Sequence, residues 1–439
     1  MDNTTVFSRN KKVIQEILSV DNLTIDTLEG EFDNLRELSF IHKHVFSFYI
    51  LLAILSNLIY WLMGLNKRLT QYENDDFLFF SCPDSVFRTK NISLIAGGLK
   101  YSMIYLPNMH VISSLYYSRY FIRNKIKAFF PTVAIRDVLH TRNIYRQIER
   151  GLQEKNGEEY DRVKYTVSIF ILYKFIANRF LNGIDSFKGK CIFEHQKFYF
   201  MPFVDTFRKK RIETTMLQHG LFFQPAFDYM PLFCDKVLCC SEREKALYLE
   251  NDTEEERIKV FGAPLQTLAT DKNSTYDQSK YNLLILMTEV DDNNILILKV
   301  VLEYIKANYN KILIRMRPRS RKEDIKRLGD VLQGMVISPH KNTIVEDIEC
   351  CAKIVSFSVD ANVEVAKLHK PMVYVWTEGP ASEVNDINCA TEENYMVEIN
   401  KLMTEDFYST FSETKYKEIL GETDVNILKA RFKEYIESK

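Results

Sequence analysis

Between Leu283 and Trp376, short apolar runs alternate with helix-length segments so regularly that few folds remain open. LLILM (283–287) precedes a helical pattern across Ile295–Ala307, and ILIRM (312–316) one across Glu323–Gln333. MVIS (335–338) leads to a helix at Val345–Cys351, KIVSFS (353–358) to one at Asn362–Leu368, and MVYVW (372–376) closes the series. Short apolar runs ended by turn residues have the form of strands buried on both faces. A single helix between consecutive strands implies right-handed crossovers and a parallel sheet with helices on both sides.

The preceding half has the same texture, less clearly spaced. FLFFS (77–81), SLIAGG (93–98), MIYLP (103–107), CIFEH (191–195), TTMLQHG (214–220), KVLCCS (236–241) and IKVFGAP (258–264) all have the form of strands, and 137–180 has a long-period, helical pattern. A polar loop at 265–282 separates the halves. The expected class is therefore α/β: two Rossmann-like domains facing a central cleft, preceded by a helical N-terminal region. The divisions fall at 1–70 (helical), 71–270 (first α/β domain) and 280–439 (second α/β domain with a terminal helix, Val425–Glu437). That last helix is in a position to cross back onto the first domain.

Composition removes other classes. Lys+Arg number 58 against 59 Asp+Glu, for a net charge of -1, which gives no broad attraction to nucleic acid. With 14 Gly and 11 Pro in 439 residues, collagen-like or linker-rich architecture and extensive disorder are excluded. The eight cysteines show no CxxC spacing and read as buried small hydrophobes. The polar N-terminus lacks a signal peptide's apolar centre. Val45–Leu65 is uncharged for 21 residues, long enough to span a bilayer, but its lack of a second such segment favours a buried or membrane-grazing helix.

In doubly wound sheets ligands bind beyond the carboxyl ends of the strands, so chemistry is sought there. Glu194 and His195 follow one strand, and Gln218-His219-Gly220 another. A general base must lie within hydrogen-bond reach of the hydroxyl it activates, and Glu194, His195 or His219 could serve. The alternative for His219 is a hydrogen-bonded core histidine. Arg317-Pro318-Arg319 ends the strand at 312–316, where guanidinium forks suit phosphate or, alternatively, are simply solvated. Ser356, Ser358 and Asp360 lead into a helix whose first turn holds Glu364. Free N–H groups there attract phosphate and Glu364 could accept ribose hydroxyls, although plain capping explains the same residues. Thr288–Asp292 offers carboxylates but reads as a helix cap, so no metal is expected. Dinucleotide, P-loop, nucleophile-elbow and zinc-protease motifs are all missing.

The segments TTMLQHGLFFQPAFDYMPLFCDKVLCCSEREKALYLE, IKVFGAP, ILIRMRPR and EDIECCAKIVSFSVDANVEVAKLHKPMVYV together resemble bacterial GT-B glycosyltransferases of capsule and surface-polysaccharide assembly. The group with a strand-ending Gln-His-Gly, similar to capsular transferases, polysialyltransferases and teichoic-acid polymerases, is the nearest. The resemblance covers roughly residues 190 to 378. It implies an inverting, metal-independent transfer from a nucleotide-sugar donor to a glycan acceptor, lipid-linked in many such systems, in the cytoplasm or at the inner face of its membrane, with no nucleic-acid partner and no cofactor. It assigns His219 as a base candidate on the acceptor side, beside Gln218 and Gly220. Ser356, Ser358 and Glu364 would hold the donor's phosphate and ribose. Arg317 stands where the family often has His, and Asp360 and Asn362 are less typical of it.

Two other readings share these residues. A non-hydrolysing sugar-nucleotide epimerase has the same fold but needs several carboxylates around the sugar; Asp84, Glu194 and Asp205 are the first-half choices. A catalytically silent, membrane-associated partner in polysaccharide assembly would account for Val45–Leu65 and for Arg317 in place of His.

Overall fold

A computed structural model describes residues 5–22, 24–26, 28–29, 74–81, 92–105, 128–129, 134–152, 157–181, 184, 187–194, 200–218, 232–263, 280–288, 290, 294–317, 321–339, 342–357, 365, 368, 370–375, 389–390, 396–397, 399–400 and 421–438. Its strands are β1 (Phe77–Ser81), β2 (Tyr101–Tyr105), β3 (Ala128–Phe129), β4 (Lys190–Phe193), β5 (Thr214–Leu217), β6 (Lys236–Cys239) and β7 (Ile258–Val260), then β8 (Tyr281–Leu286), β9 (Ile312–Arg315), β10 (Val336–Ile337), β11 (Cys351–Ser356), β12 (Met372–Val375) and β13 (Cys389–Ala390). Its helices are α1 (Val6–Leu18), α2 (Ile135–Gly151), α3 (Glu158–Leu181), α4 (Met201–Lys209), α5 (Glu242–Glu250), α6 (Ile295–Asn308), α7 (Arg321–Leu328), α8 (Ile344–Glu349) and α9 (Val425–Glu437).

The strands form two sheets, ordered β3-β2-β1-β4-β5-β6-β7 and β10-β9-β8-β11-β12-β13. Every pairing is parallel. Both therefore carry the doubly wound order 3-2-1-4-5-6, with the direction of winding reversing between β1 and β4 in the first and between β8 and β11 in the second. Ligand crevices open at such reversals.

Strand alternation builds a core on each face of each sheet. Leu78, Phe80, Cys191, Phe193, Met216 and Val237 face a core completed by α1, α2, α3 and α4. Phe77, Phe79, Met103, Ile192, Leu217 and Leu238 face the opposite way, onto Leu428, Phe432, Tyr435 and Ile436 of α9. The terminal helix thus covers a face of the first sheet. In the second sheet Leu283, Ile285, Ile312 and Ile314 pack on Leu298, Val301, Leu302 and Ile305 of α6, while Leu284, Leu286, Leu313 and Ile354 pack on Ile348, Cys350 and Cys351.

The chain returns to the first sheet through residues 421–424, a passage that two glycines permit. Gly421 (φ 65°) lies so close to strand β6 that a Cβ there would sit 2.0 Å from the Cys240 carbonyl. A Cβ on Gly262 (φ 118°) would sit 2.4 Å from the Glu422 carbonyl, and the Ala263 N–H donates to that same oxygen at 2.8 Å.

One expected strand is absent. Residues 92–95 form a helical turn, and the chain then reverses through Gly97 and Gly98 at φ 54° and 102°, so that β2 begins at Tyr101. Cys191, Cys234, Cys239, Cys240, Cys350 and Cys351 are buried free thiols. Among the described residues no helix is long and apolar enough to cross a membrane, and Val45–Leu65 lies outside them.

Candidate functional site

At the carboxyl ends of an apolar parallel sheet, buried polar side chains need a reason, because burying them without partners costs free energy. The first sheet has three on adjacent strands, Ser81, Glu194 and Gln218. Ser81 ends β1 and Glu194 follows β4, on the two sides of the winding reversal; both are buried, and the Ser81 hydroxyl donates to Glu194 Oε2 at 2.5 Å. The bond joins residues 113 apart in sequence directly across the crevice. One strand further on, Gln218 follows β5 and its amide Nε2 donates to Glu244 Oε2 at 2.9 Å, both side chains being fully buried. Glu244 lies in the first turn of α5, which Ser241 caps, and its Oε1 is 3.5 Å from an Arg243 guanidinium nitrogen. A carboxylate in a first turn is favoured by the helix dipole.

The segment 219–231, which carries His219 and Gly220, leaves from Gln218 and rejoins at Leu232. Its far end is fixed by Arg257, which donates to the Leu232 and Cys234 carbonyls, both at 2.7 Å, and to that of Asp235 at 3.2 Å. Polar contacts thus hold Gln218 on one side of the segment and Leu232–Asp235 on the other. β4 and β5 are neighbours, so Glu194 and Gln218 lie at adjacent strand ends.

On the second sheet, Ser356 ends β11, fully buried and in register with Leu286 of β8, at the matching reversal. Arg317 lies just past β9 and is exposed to solvent. Beneath it Arg315 is held by Asp347 at 2.5 Å. Asp347 also accepts from the Ser338 hydroxyl at 2.5 Å and the Asn342 amide at 3.0 Å. This network ties the ends of β9 and β10 to α8.

Of the residues read from the sequence, Glu194, Gln218, Arg317 and Ser356 are thus placed at carboxyl strand ends. His195, His219, Gly220, Arg319, Ser358, Asp360 and Glu364 lie outside the described residues, as does Asp84. Gln218 contacts Glu244 inside its own domain. Asp205 is on α4, in the helical layer: burial raises its pKa above the ordinary carboxylate value and nearby Asp21 adds to that, with Arg208, Lys209 and Lys174 opposing. Sequence reasoning passed over Ser81, Glu244 and Asp347. A polar residue closing FLFFS was the available signal for Ser81; Glu244 and Asp347 read as ordinary first-turn acids. Among the described residues no three His, Cys, Asp or Glu side chains gather as a metal site.

No family model matches the chain, and no curated protein matches it. Solved structures do. Methanocaldococcus jannaschii UDP-GlcNAc 2-epimerase, in complex with UDP-GlcNAc and UDP, aligns at 15% identity with a TM-score of 0.53, covering 82% of this chain and 99% of that one. A glycosyltransferase from Rickettsia africae aligns at 12% identity and a TM-score of 0.50, covering 82% and 97%. At such identities the likeness establishes architecture. The chain has a GT-B-type fold, two parallel doubly wound α/β units.

Proposed function

We propose that the chain is an inverting, metal-independent glycosyltransferase that moves a sugar from a nucleotide-sugar donor to a growing surface glycan. The observation that carries the reading is the buried Ser81–Glu194 pair across the reversal of the first sheet, with Ser356 at the matching reversal of the second. Each sheet thereby offers polar groups where its own ligand would lie: an acceptor at the first and a donor at the second.

In the reaction an acceptor oxygen attacks the donor's anomeric carbon, the bond from that carbon to phosphate breaks, and a nucleotide departs carrying the electron pair. The acceptor's proton passes to a base, His219 or Glu194. A hydroxyl nucleophile gains ~10²–10⁴-fold from a positioned base. Arg317, exposed at the strand end, is the cation this reading assigns to the charge that builds on the departing phosphate. Ser81 holds Glu194 in one orientation, so no reorganisation is needed when the proton moves.

An epimerase would need several carboxylates around the sugar. Glu194 is at the crevice, but Asp205 lies in the helical layer and Glu244 is engaged by Gln218 and Arg243. Epimerisation is therefore the second reading, and the products of the reaction separate the two. The test incubates the protein with CMP-, UDP-, GDP- and TDP-sugars, with and without a glycan acceptor, after a thermal-shift panel of the free nucleotides has chosen the base. Acceptor-dependent nucleotide release supports transfer. Inversion at the sugar's C2 without acceptor, seen by NMR, would replace the reading with epimerisation. No thermal shift with any nucleotide would favour the silent assembly partner.

A further inference from the structure

Four of the buried cysteines form two adjacent pairs, and the fold treats the pairs differently. Cys239 closes β6 and turns its thiol to the Ser241 and Lys259 carbonyls, both at 3.6 Å. Cys350 and Cys351 face each other instead, their sulfurs 3.9 Å apart. The backbone explains this. In an extended chain successive side chains point to opposite faces, but Cys350 caps α8 at φ -80° and ψ 4°, which brings both thiols to one side of the turn into β11. Cys350 is 8% exposed and Cys351 is fully buried. The Cys350 thiol donates to the Asp347 carbonyl at 3.2 Å, and Lys370 donates to the Cys351 carbonyl at 3.0 Å. A hydrogen bond from Cys351 brings Cys350 below the ordinary thiol value of 9.0, with Lys280 assisting and burial and the Asp347 charge opposing. Giving that bond, together with burial, raises Cys351. The two thiols are thus unequal, one suited to attack and the other held in reserve.

We propose that Cys350 and Cys351 form a modification site for a hydroperoxide, which closes them into a disulfide and loosens the second unit at Asp347. The Cys350 thiolate attacks one peroxide oxygen and the O–O bond breaks. The departing oxygen leaves as water with the proton that Cys350 gave up, and Cys350 becomes a sulfenic acid. Cys351 then attacks that sulfur: the S–S bond forms, and the sulfenic hydroxyl leaves with the Cys351 proton as a second water. Two thiols are oxidised and one peroxide is reduced, with no other reactant. The peroxide need reach only Cys350, the member with exposed surface. Adjacent Cα atoms lie ~3.8 Å apart, short of the ~4.4 Å at which ordinary disulfides begin, so the bridge is strained and readily reopened by a dithiol. Closing it removes the thiol proton from the Asp347 carbonyl. The Asp347 side chain holds Arg315, Ser338 and Asn342, so the change is felt where β9 and β10 end.

The full-length protein is treated with hydrogen peroxide, cleared of it with catalase, unfolded and alkylated with N-ethylmaleimide. Trypsin then releases the two pairs on separate peptides, 342–353 and 237–243. Peptide 342–353 is expected to take no maleimide and to weigh ~2 Da less than its dithiol, the loss of two hydrogens. Peptide 237–243 should still take two, and dithiothreitol should restore both sites on 342–353. In Cys351→Ser the reaction should stop at the Cys350 sulfenic acid, which dimedone traps, and Cys350→Ser should oxidise at least ~10-fold more slowly than the parent. The oxidised parent should melt about 2–4 °C below the reduced one, as the loss of one hydrogen bond in a unit of this size implies. Cys350→Ser should melt alike with and without peroxide. Two maleimides on 342–353 after peroxide overturn the proposal, and the unmutated protein alone suffices to show it. Oxidation of both peptides at one rate overturns it equally, since that marks general thiol damage. An oxidised parent that melts with the reduced one overturns the loosening at Asp347.

Discussion

At the scale of single residues, the pairings at the strand ends separate chemistry from support. Glu194→Gln keeps an oxygen for the Ser81 hydroxyl but removes the negative charge. If Glu194 is the base, turnover should fall ~10²-fold or more while nucleotide binding, read by thermal shift, is retained; unchanged turnover would leave the role to His219. Asp347→Ala is the structural counterpart. It leaves Arg315, with only 19% of its side chain exposed, without its carboxylate and strips Ser338 and Asn342 of their acceptor, at a cost of about 3 kcal/mol in a denaturant melt. A loss below ~1 kcal/mol would mean that water replaces the network. Glu194 and Gln218 were legible in the sequence because each directly ends an apolar run. Ser81 and Glu244 were not, because their meaning lies in partners 113 and 26 residues away. No local pattern encodes which strands become neighbours.

At the scale of elements, β8, β9, β11 and β12 fall within a few residues of the expected runs because each is an apolar run followed by a polar turn, whereas β13 was not expected and the helix expected at 362–368 lies largely outside the described residues. The first half was harder. SLIAGG has strand composition, yet two glycines in the left-handed region turn it into a reversal, and Ala128–Phe129 is too short to carry a period. α9 is the element whose place has the most consequence. Tyr435 shares hydrogen bonds with Thr215 at 2.5 Å and Glu213 at 3.0 Å, and Lys190 lies 4.3 Å from its ring. Burial alone would raise the Glu213 pKa, but hydrogen bonds from Lys236 and Lys190 bring it below its ordinary 4.5. A carboxyl depressed in the folded state stabilises it fully at pH above that ordinary value and loses the contribution as pH falls through the lowered one. Acidification below about 4.5 should thus loosen α9, seen as faster amide exchange across Val425–Glu437 and suppressed in Glu213→Gln. Exchange that stays flat through that range would assign the docking of α9 to its apolar side chains alone.

For the whole molecule, the route of the chain couples two units that order and composition present as separate. The second α/β unit ends in sequence with a helix that serves the first. Leu428, Phe432, Tyr435 and Ile436 are each buried to 8% exposure or less against Phe77, Phe79, Met103 and Ile192. At ~1.5 kcal/mol or more per large apolar side chain, reduced for the compactness of the unfolded chain, their burial is worth on the order of 5 kcal/mol. That is comparable to the entire stability of a typical domain. Residues 1–270 expressed alone should therefore expose an apolar sheet face, melt without a cooperative transition and aggregate. Supplying residues 421–439 in trans should restore the transition, and the same peptide carrying Phe432→Ala should do so ~100-fold less well, as a core phenylalanine truncation of about 3 kcal/mol implies. A fragment 1–270 that melts as sharply as the full chain would show that the two units are independent and that α9 merely rests on the first. If the peptide does rescue it, the crossing helix is a physical link by which changes at the second unit reach the sheet that bears Ser81 and Glu194.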